Sequence, residues 1–173
     1  SSTLVPHPDD AKRRVLNVRN SGRTDAILPR GGATWNFPAG NAGFVEIRIR
    51  LQEDFGGARL CLLNRWLNPT DPTVASLAMG HLDLASGGKL KPQQWHTLRF
   101  TWKDVSLLRK SLFHPPIRVD AEIEVTLDGQ PFGKLPVTRQ SRHGIRYVHF
   151  QSTSETRDSG LLIESVRAEI TQP

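Results

Sequence analysis

The chain has 173 residues, one cysteine and a formal net charge of +6; that length suits one domain, about two thirds of whose unfolded surface is buried without a disulfide staple. No apolar run approaches the roughly 18 residues of a membrane span, so no such span is expected. Arginine outnumbers lysine 17 to 6 and the basic residues are scattered, densest at Lys12-Arg13-Arg14 and from Arg139 to Arg146; neither is a tract that marks a nucleic-acid tail, and no nucleic-acid partner is expected.

Residues 1–14, with Pro6 and Pro8, read as an N-terminal extension or linker, and residues 15–173 as a single domain. Val15-Leu16-Asn17-Val18 predicts a short first strand, Ser21–Thr24 a turn, and Asp25–Leu28 a paired segment. Gly31-Gly32 and Pro38–Asn41 read as loops around Trp35-Asn36-Phe37. The strongest strand follows. In Phe44–Leu51, Val45, Ile47, Ile49 and Leu51 point one way while Glu46, Arg48 and Arg50 point the other. Glu53–Gly57 then predicts a hairpin turn into Arg59–Leu63, where Cys61 sits in an apolar run as a small buried hydrophobe.

Two prolines keep Asn68–Pro72 out of a central strand. Alternation resumes over 75–84, with His81 and Asp83 on the polar side, and over 94–103, with Leu98, Phe100 and Trp102 inward. Residues 104–116 are the one helical or irregular excursion. Strands follow at 121–127, ending in the turn Asp128-Gly129, and at 133–137, 145–151 and 161–170. In the last, the apolar phase changes between Ile163 and Val166, which predicts a bulge near Ser165. Ten or more strands with turn signals about every ten residues, and no βαβ pattern, define an all-β fold: a two-sheet antiparallel β-sandwich of jelly-roll type.

Trp95-His96-Thr97-Leu98-Arg99-Phe100-Thr101-Trp102, the later Asp128-Gly129 hairpin, Gly144-Ile145-Arg146-Tyr147 and the final strand from Gly160 to Val166 resemble the concanavalin A-like jelly rolls. That superfamily includes laminin-G-type modules, legume lectins and many glycan-active enzymes. The resemblance covers about residues 15–171. It is similar in pattern to modules attached to bacterial sialidase-like or polysaccharide-degrading enzymes, and implies a glycan partner, a neighbouring catalytic domain and an extracellular or periplasmic location. Ser1-Ser2-Thr3-Leu4 has no signal-peptide pattern, so the chain is cytoplasmic, already processed, or cut from a longer protein.

Several chemistries are weighed on this frame. Retaining hydrolases of the superfamily carry an E-x-D-x-x-E strand with carboxyl groups about 5–5.5 Å apart. That motif is absent, and Glu122 and Glu124 read equally as a solvated edge. A lyase needs a cation to neutralise a uronate carboxylate and a Tyr or His to move protons. Arg48 and Arg50 are the candidate cations, and Tyr147 and His149, on one strand face, the candidate proton carriers. A binding platform needs an exposed aromatic ring flanked by polar groups. Trp66 is the first choice and the loop residue Trp35 the second, while Trp95 and Trp102 read as core.

The expectation drawn from these is a non-catalytic carbohydrate-binding or accessory module favouring acidic glycans. Its ligand face would carry Glu46, Arg48, Arg50, His81, Tyr147 and His149, with Trp66 at the rim. The alternatives are a lyase or hydrolase on the same face, and a protein-docking module marked by an exposed apolar patch. No cofactor is expected. The resemblance makes calcium the ion to consider, through Asn68 and Asp71 or Glu53 and Asp54, though neither pair has enough carboxylates alone. Six scattered histidines and a lone cysteine do not form a zinc site.

Overall fold

The computed structural model describes residues 1–22, 30–105, 121–139 and 141–172. The segment expected to pair at 25–28, half of the expected turn at 21–24 and most of the 104–116 excursion lie outside the described residues. Chain order is β1 (Ser2–His7), β2 (Asp10–Val18), β3 (Gly32–Gly40), β4 (Ala42–Leu51), β5 (Ala58–Leu63), α1 (Val74–Leu77), β6 (Gly80–Leu84), β7 (Trp95–Trp102), β8 (Glu122–Leu127), β9 (Gln130–Pro136), β10 (Ile145–Ser152) and β11 (Leu161–Gln172). Two antiparallel sheets form from them. One has seven strands in the order β1-β2-β11-β4-β7-β8-β9, the other four in the order β3-β10-β5-β6. The all-β jelly-roll sandwich expected from the alternation is the fold observed.

The period-two pattern does the positioning. Val45, Ile47, Ile49 and Leu51 of β4 and Leu98, Phe100 and Trp102 of β7 are buried, and meet Leu60, Leu62, Val148 and Phe150 of the smaller sheet in one core. Every second residue is thereby sent outward, so Glu46, Arg48 and Arg50 stand opposite Arg99, Thr97 and Trp95 on the outer face of the large sheet. The expected bulge is present: pairing of β11 with β4 shifts between Ile163 and Ser165. A bulge re-aims the side chains beside it, and Glu164 at this one joins the outer-face ion pairs.

Four expectations are corrected. Residues 2–7 and 10–18 are strands, not a linker: β1 and β2 pair over Ser2↔Val18 to Pro6↔Arg14 and carry the sheet to its edge. Residues 32–40 are strand β3, because this edge strand pairs on one side only with β10 and leaves room for Pro38. The turn at 53–57 is not a hairpin. β4 and β5 belong to different sheets, so Gln52–Gly57 crosses the sandwich; Gly57 takes φ +135°, and a β-carbon on Gly56 would lie 2.1 Å from Ser154 Oγ. Alternation over 75–84 holds only from Gly80, since 74–77 is a short helix.

The Trp-His and Asp-Gly elements that carry the resemblance meet in space. Asp128 and Gly129 take φ +51° and +80° in the two-residue turn between β8 and β9. Asp128 Oδ1 accepts from the Thr97 amide at 2.7 Å, and Oδ2 lies 2.8 Å from His96 Nδ1. His96 Nε2 lies 3.1 Å from the Lys91 amide nitrogen and 3.2 Å from the Lys91 carbonyl oxygen. Burial pushes the Asp128 carboxyl up, but the His96 and Thr97 bonds outweigh it and hold it below the usual carboxylate range. Asp128→Ala is expected to cost about 2–3 kcal/mol in urea unfolding, since it removes both bonds and leaves a plain β-carbon at positive φ. Asp128→Asn should recover part of that; wild-type stability in Asp128→Ala would show that this joint does not fix the strands.

Candidate functional site

The seven expected site residues do not share one face. Glu46, Arg48 and Arg50 are on β4, on the outer face of the seven-stranded sheet, while Tyr147 and His149 on β10 and His81 on β6 belong to the four-stranded sheet. The two outer faces are separated by the full hydrophobic core. A lyase site joining Arg48 and Arg50 to Tyr147 and His149 is therefore not assembled.

On the large outer face the arginines are already partnered. Glu164 accepts from Arg48 Nε at 2.5 Å and Arg13 at 2.8 Å, and its Oε1 lies 3.1 Å from His7 Nε2. Burial would raise the Glu164 carboxyl, but the two guanidinium groups outweigh it and hold the carboxyl below its ordinary range. Arg50 lies 3.6 Å from Asp9 and donates to Gln93 Oε1 at 2.8 Å. Arg99 pairs with Glu46 at 2.8 Å, its guanidinium 4.1 Å from the Phe44 ring centroid. Trp95, expected in the core, is on this face instead: its ring stacks on His7 at 5.0 Å, its Nε1 donates to Asp9 at 2.8 Å, and Arg48 lies 5.8 Å from its centroid. Trp102 is in the core as expected.

The outer face of the small sheet is roofed. Register places Thr34, His149, Cys61 and His81 in one row across β3, β10, β5 and β6. Cys61, Leu63, Val74 and Ala78 form a second apolar cluster with Leu67, Ala75 and Tyr147 packed against it. His149 ends up 0% exposed with neither ring nitrogen hydrogen-bonded. Burial lowers its pKa to about 4, so at neutral pH it is an uncharged, enclosed imidazole that no ligand reaches. Burial pushes the Cys61 thiol up to about 12, as suits the small buried hydrophobe expected there.

The loop between β5 and β6 is held by two side-chain turns. Asn68 Oδ1 accepts from the Thr70 amide at 3.1 Å and hydroxyl at 2.9 Å; Asp71 Oδ1 accepts from the Thr73 amide and hydroxyl, both at 2.8 Å. Asp54 Oδ1, likewise, accepts from the Ser159 amide. Among the described residues no three His, Cys, Asp or Glu side chains come together as a metal site. Trp66, on the same loop, is 62% exposed, as a platform requires. Trp35 is 50% exposed and Leu4 66%; together with Leu16, Phe150 and Val166 they line a cavity of about 200 Å³ between the sheets.

Sequence reasoning missed Glu164, Asp9, His7 and Trp95. The expected bulge at 165 was the available signal for Glu164, because a phase change beside an acidic residue sends that residue to the polar face. Nothing local links Asp9 or His7 to Arg50 or Trp95, which are more than 40 residues away.

The comparisons with known proteins bear on this geometry at the level of fold. No family model matches the sequence, and no curated protein is similar to it in sequence. Among solved structures, the alginate lyase Aly36B superposes with a TM-score of 0.55 at 10% identity, covering 91% of this chain and 81% of the lyase. Sheep galectin-11, in complex with glycerol, gives 0.50 at 11% identity, covering 79% and 96%. A sialidase gives 0.52 at 15% identity, covering 81% of this chain but only 14% of the sialidase. The fold is that of the concanavalin A-like lectin and glucanase jelly rolls. Among the described residues no helix is long and apolar enough to cross a membrane.

Proposed function

We propose that this jelly roll is a non-catalytic carbohydrate-binding module, an accessory to a secreted carbohydrate-active protein, with Glu46, Arg48, Arg50 and Arg99 of the large sheet in its ligand face. One observation carries the reading: the Arg99–Glu46 and Arg48–Glu164 pairs hold a donor and an acceptor side by side on rigid strands. A sugar hydroxyl both donates and accepts, so it bridges such a pair without leaving either charge unpartnered. The same pairing leaves Glu164 unsuited to act as a general acid. A general acid needs a raised carboxyl pKa, whereas Glu164 is held low. The likeness of a sialidase to this chain over 14% of the sialidase's length supports the accessory role.

The test is affinity electrophoresis on neutral, uronate-containing and sulfated polysaccharides, with the ultraviolet absorbance of unsaturated product followed in the same samples. Retardation without turnover is expected, weakened at least tenfold (about 1.4 kcal/mol) by Arg48→Ala with Arg50→Ala. Unchanged binding in a folded double variant places the ligand elsewhere, and turnover removes the non-catalytic reading.

A second reading is favoured by the exposed Leu4 and Trp35 between the sheets. Apolar surface of this kind is where a docking module meets a neighbouring domain or protein. Failure to bind any glycan, with wild-type self-association or partner binding abolished by Trp35→Ser, would favour it.

A further inference from the structure

Of the arginines described, the ones on the large face are neutralised internally: Arg13 and Arg48 by Glu164, Arg50 by Asp9, Arg99 by Glu46 and Arg167 by Glu169. Arg59 on β5 pairs with Asp83 in the same way. A ligand carboxylate or sulfate arriving there would have to displace a carboxylate already in place. At the end of the small sheet the situation is reversed. Asn64, Arg65, Leu77 and Arg139 line an open cavity of about 290 Å³, and neither arginine faces a carboxylate among the described residues. The size is close to the lower end of small-ligand sites. Trp66, 62% exposed, follows Arg65 directly in the chain.

Part of the site is anchored before any ligand arrives. Arg139 Nε donates to the Ser76 carbonyl at 3.2 Å, which anchors the stem and leaves both terminal nitrogens of the fork available. Its neighbour Thr138 is held by its amide on the Met79 carbonyl at 2.9 Å and its hydroxyl on the Ala78 carbonyl at 3.0 Å. The loop carrying Arg65 and Trp66 is tied down by the Asn68 and Asp71 turns and by Leu67, Val74 and Ala78 packed on the sheet. The Arg139 stem and the loop backbone therefore need little ordering on binding, so more of their contact free energy appears as affinity.

We propose that Asn64, Arg65, Trp66 and Arg139 form a site for an anionic sugar, the two guanidinium groups taking the carboxylate or sulfate and the indole stacking on the apolar face of the ring. Bidentate guanidinium contacts suit planar carboxylates and sulfate oxygens alike, and Asn64 supplies a donor and an acceptor for a hydroxyl. The proposal rests on the glycan-binding reading and adds to it both the class of glycan and a location distinct from the large sheet face.

The experiment compares dextran with dextran sulfate, and polygalacturonate with neutral β-glucan, by affinity electrophoresis and titration calorimetry on the intact chain. Variants are Arg65→Gln with Arg139→Gln, and Trp66→Ala, with circular dichroism as the control for folding; all three positions are exposed. The expected result is tighter binding of the charged polymer of each pair. That preference should fall at least tenfold in the double glutamine variant, and Trp66→Ala should weaken binding of both the charged and the neutral polymer. The two charged polymers separate sulfate from uronate as the anion recognised. Glycan binding with no charge preference, or a preference indifferent to Arg65→Gln with Arg139→Gln, overturns the site and leaves the glycan reading standing. If no polysaccharide binds but free galacturonate or sulfate still does so through Arg65 and Arg139, the glycan reading fails and the anion site survives. Equal loss of binding to a single-stranded oligonucleotide of matched charge in the same variants overturns the assignment to sugars.

Discussion

Glu164→Ala is expected to lower the stability of the fold by about 3 kcal/mol, the largest loss from a single outer-face substitution. The carboxylate is mostly buried and faces Arg48, Arg13 and His7. Removing it does more than delete an attraction: it leaves two guanidinium groups crowded at one point of the sheet with no counter-charge, a case in which losses of about 3–5 kcal/mol are typical when the pair is fully buried. Both arginines keep partial access to water, which sets the expectation at the lower end. Glu164→Gln, which keeps the shape but not the charge, should fall between wild type and Ala. The same carboxyl makes stability depend on acid. Its pKa is depressed in the folded state, so its contribution is fully present above the unfolded value near 4.5 and is lost as pH falls through the lower folded value. Urea unfolding at neutral pH decides the matter; a loss under about 1 kcal/mol would mean that Arg48 and Arg13 find other partners.

The second expected result is that His149→Leu is at least as stable as wild type at neutral pH and about 2 kcal/mol more stable at pH 5. His149 is enclosed, uncharged and without a hydrogen bond to either ring nitrogen. Its folded pKa of about 4 lies below the unfolded value of 6.5. Only the unfolded chain takes up the proton between those values, so the contribution of this group is whole above about pH 6.5 and declines as pH falls toward about 4. Leucine removes the proton-binding group and fits the adjoining cluster of Leu63, Val74 and Ala78. Thermal unfolding of both proteins from pH 7.5 to pH 4.5 would show the curves diverging on the acid side. Parallel curves would mean that His149 has a partner or access to water.

The sheet architecture was legible because its cause is local. Strict alternation in β4, β7 and β8 assigns each residue to a face whatever the rest of the chain does, and the phase change in β11 announces its bulge in the same way. The identity of each strand's neighbours was not local. Val45 looks the same whether β5 follows in the same sheet or across the sandwich, and only the pairing of β5 with the distant β10 shows the crossing. That one difference separates His149 and Tyr147 from Arg48 and Arg50. Period-two reasoning correctly placed Tyr147 and His149 on a common face, and said nothing about the loop that covers it. The exposed Trp66 was readable because a residue between an arginine and a proline-bounded loop has little sheet to bury it.

One consequence of the strand order concerns how the chain reaches its native state. β11 lies between β2 and β4 at the interior of the seven-stranded sheet, so among the described residues the earliest and middle segments of that sheet are joined only through residues 161–172. Until those residues are available, the β1–β2 hairpin has no hydrogen-bonded route to the rest of its sheet, and β4 shows an open edge lined by Ile47 and Ile49. Such topologies fold slowly, because distant segments must be brought together before their contacts reward the closure. During synthesis the nascent chain therefore carries an unpaired, aggregation-prone strand edge until residues 161–172 have emerged. The bulge at Ser165 interrupts the regular ladder in the strand that completes the sheet, which disfavours register slips of β11 as it inserts.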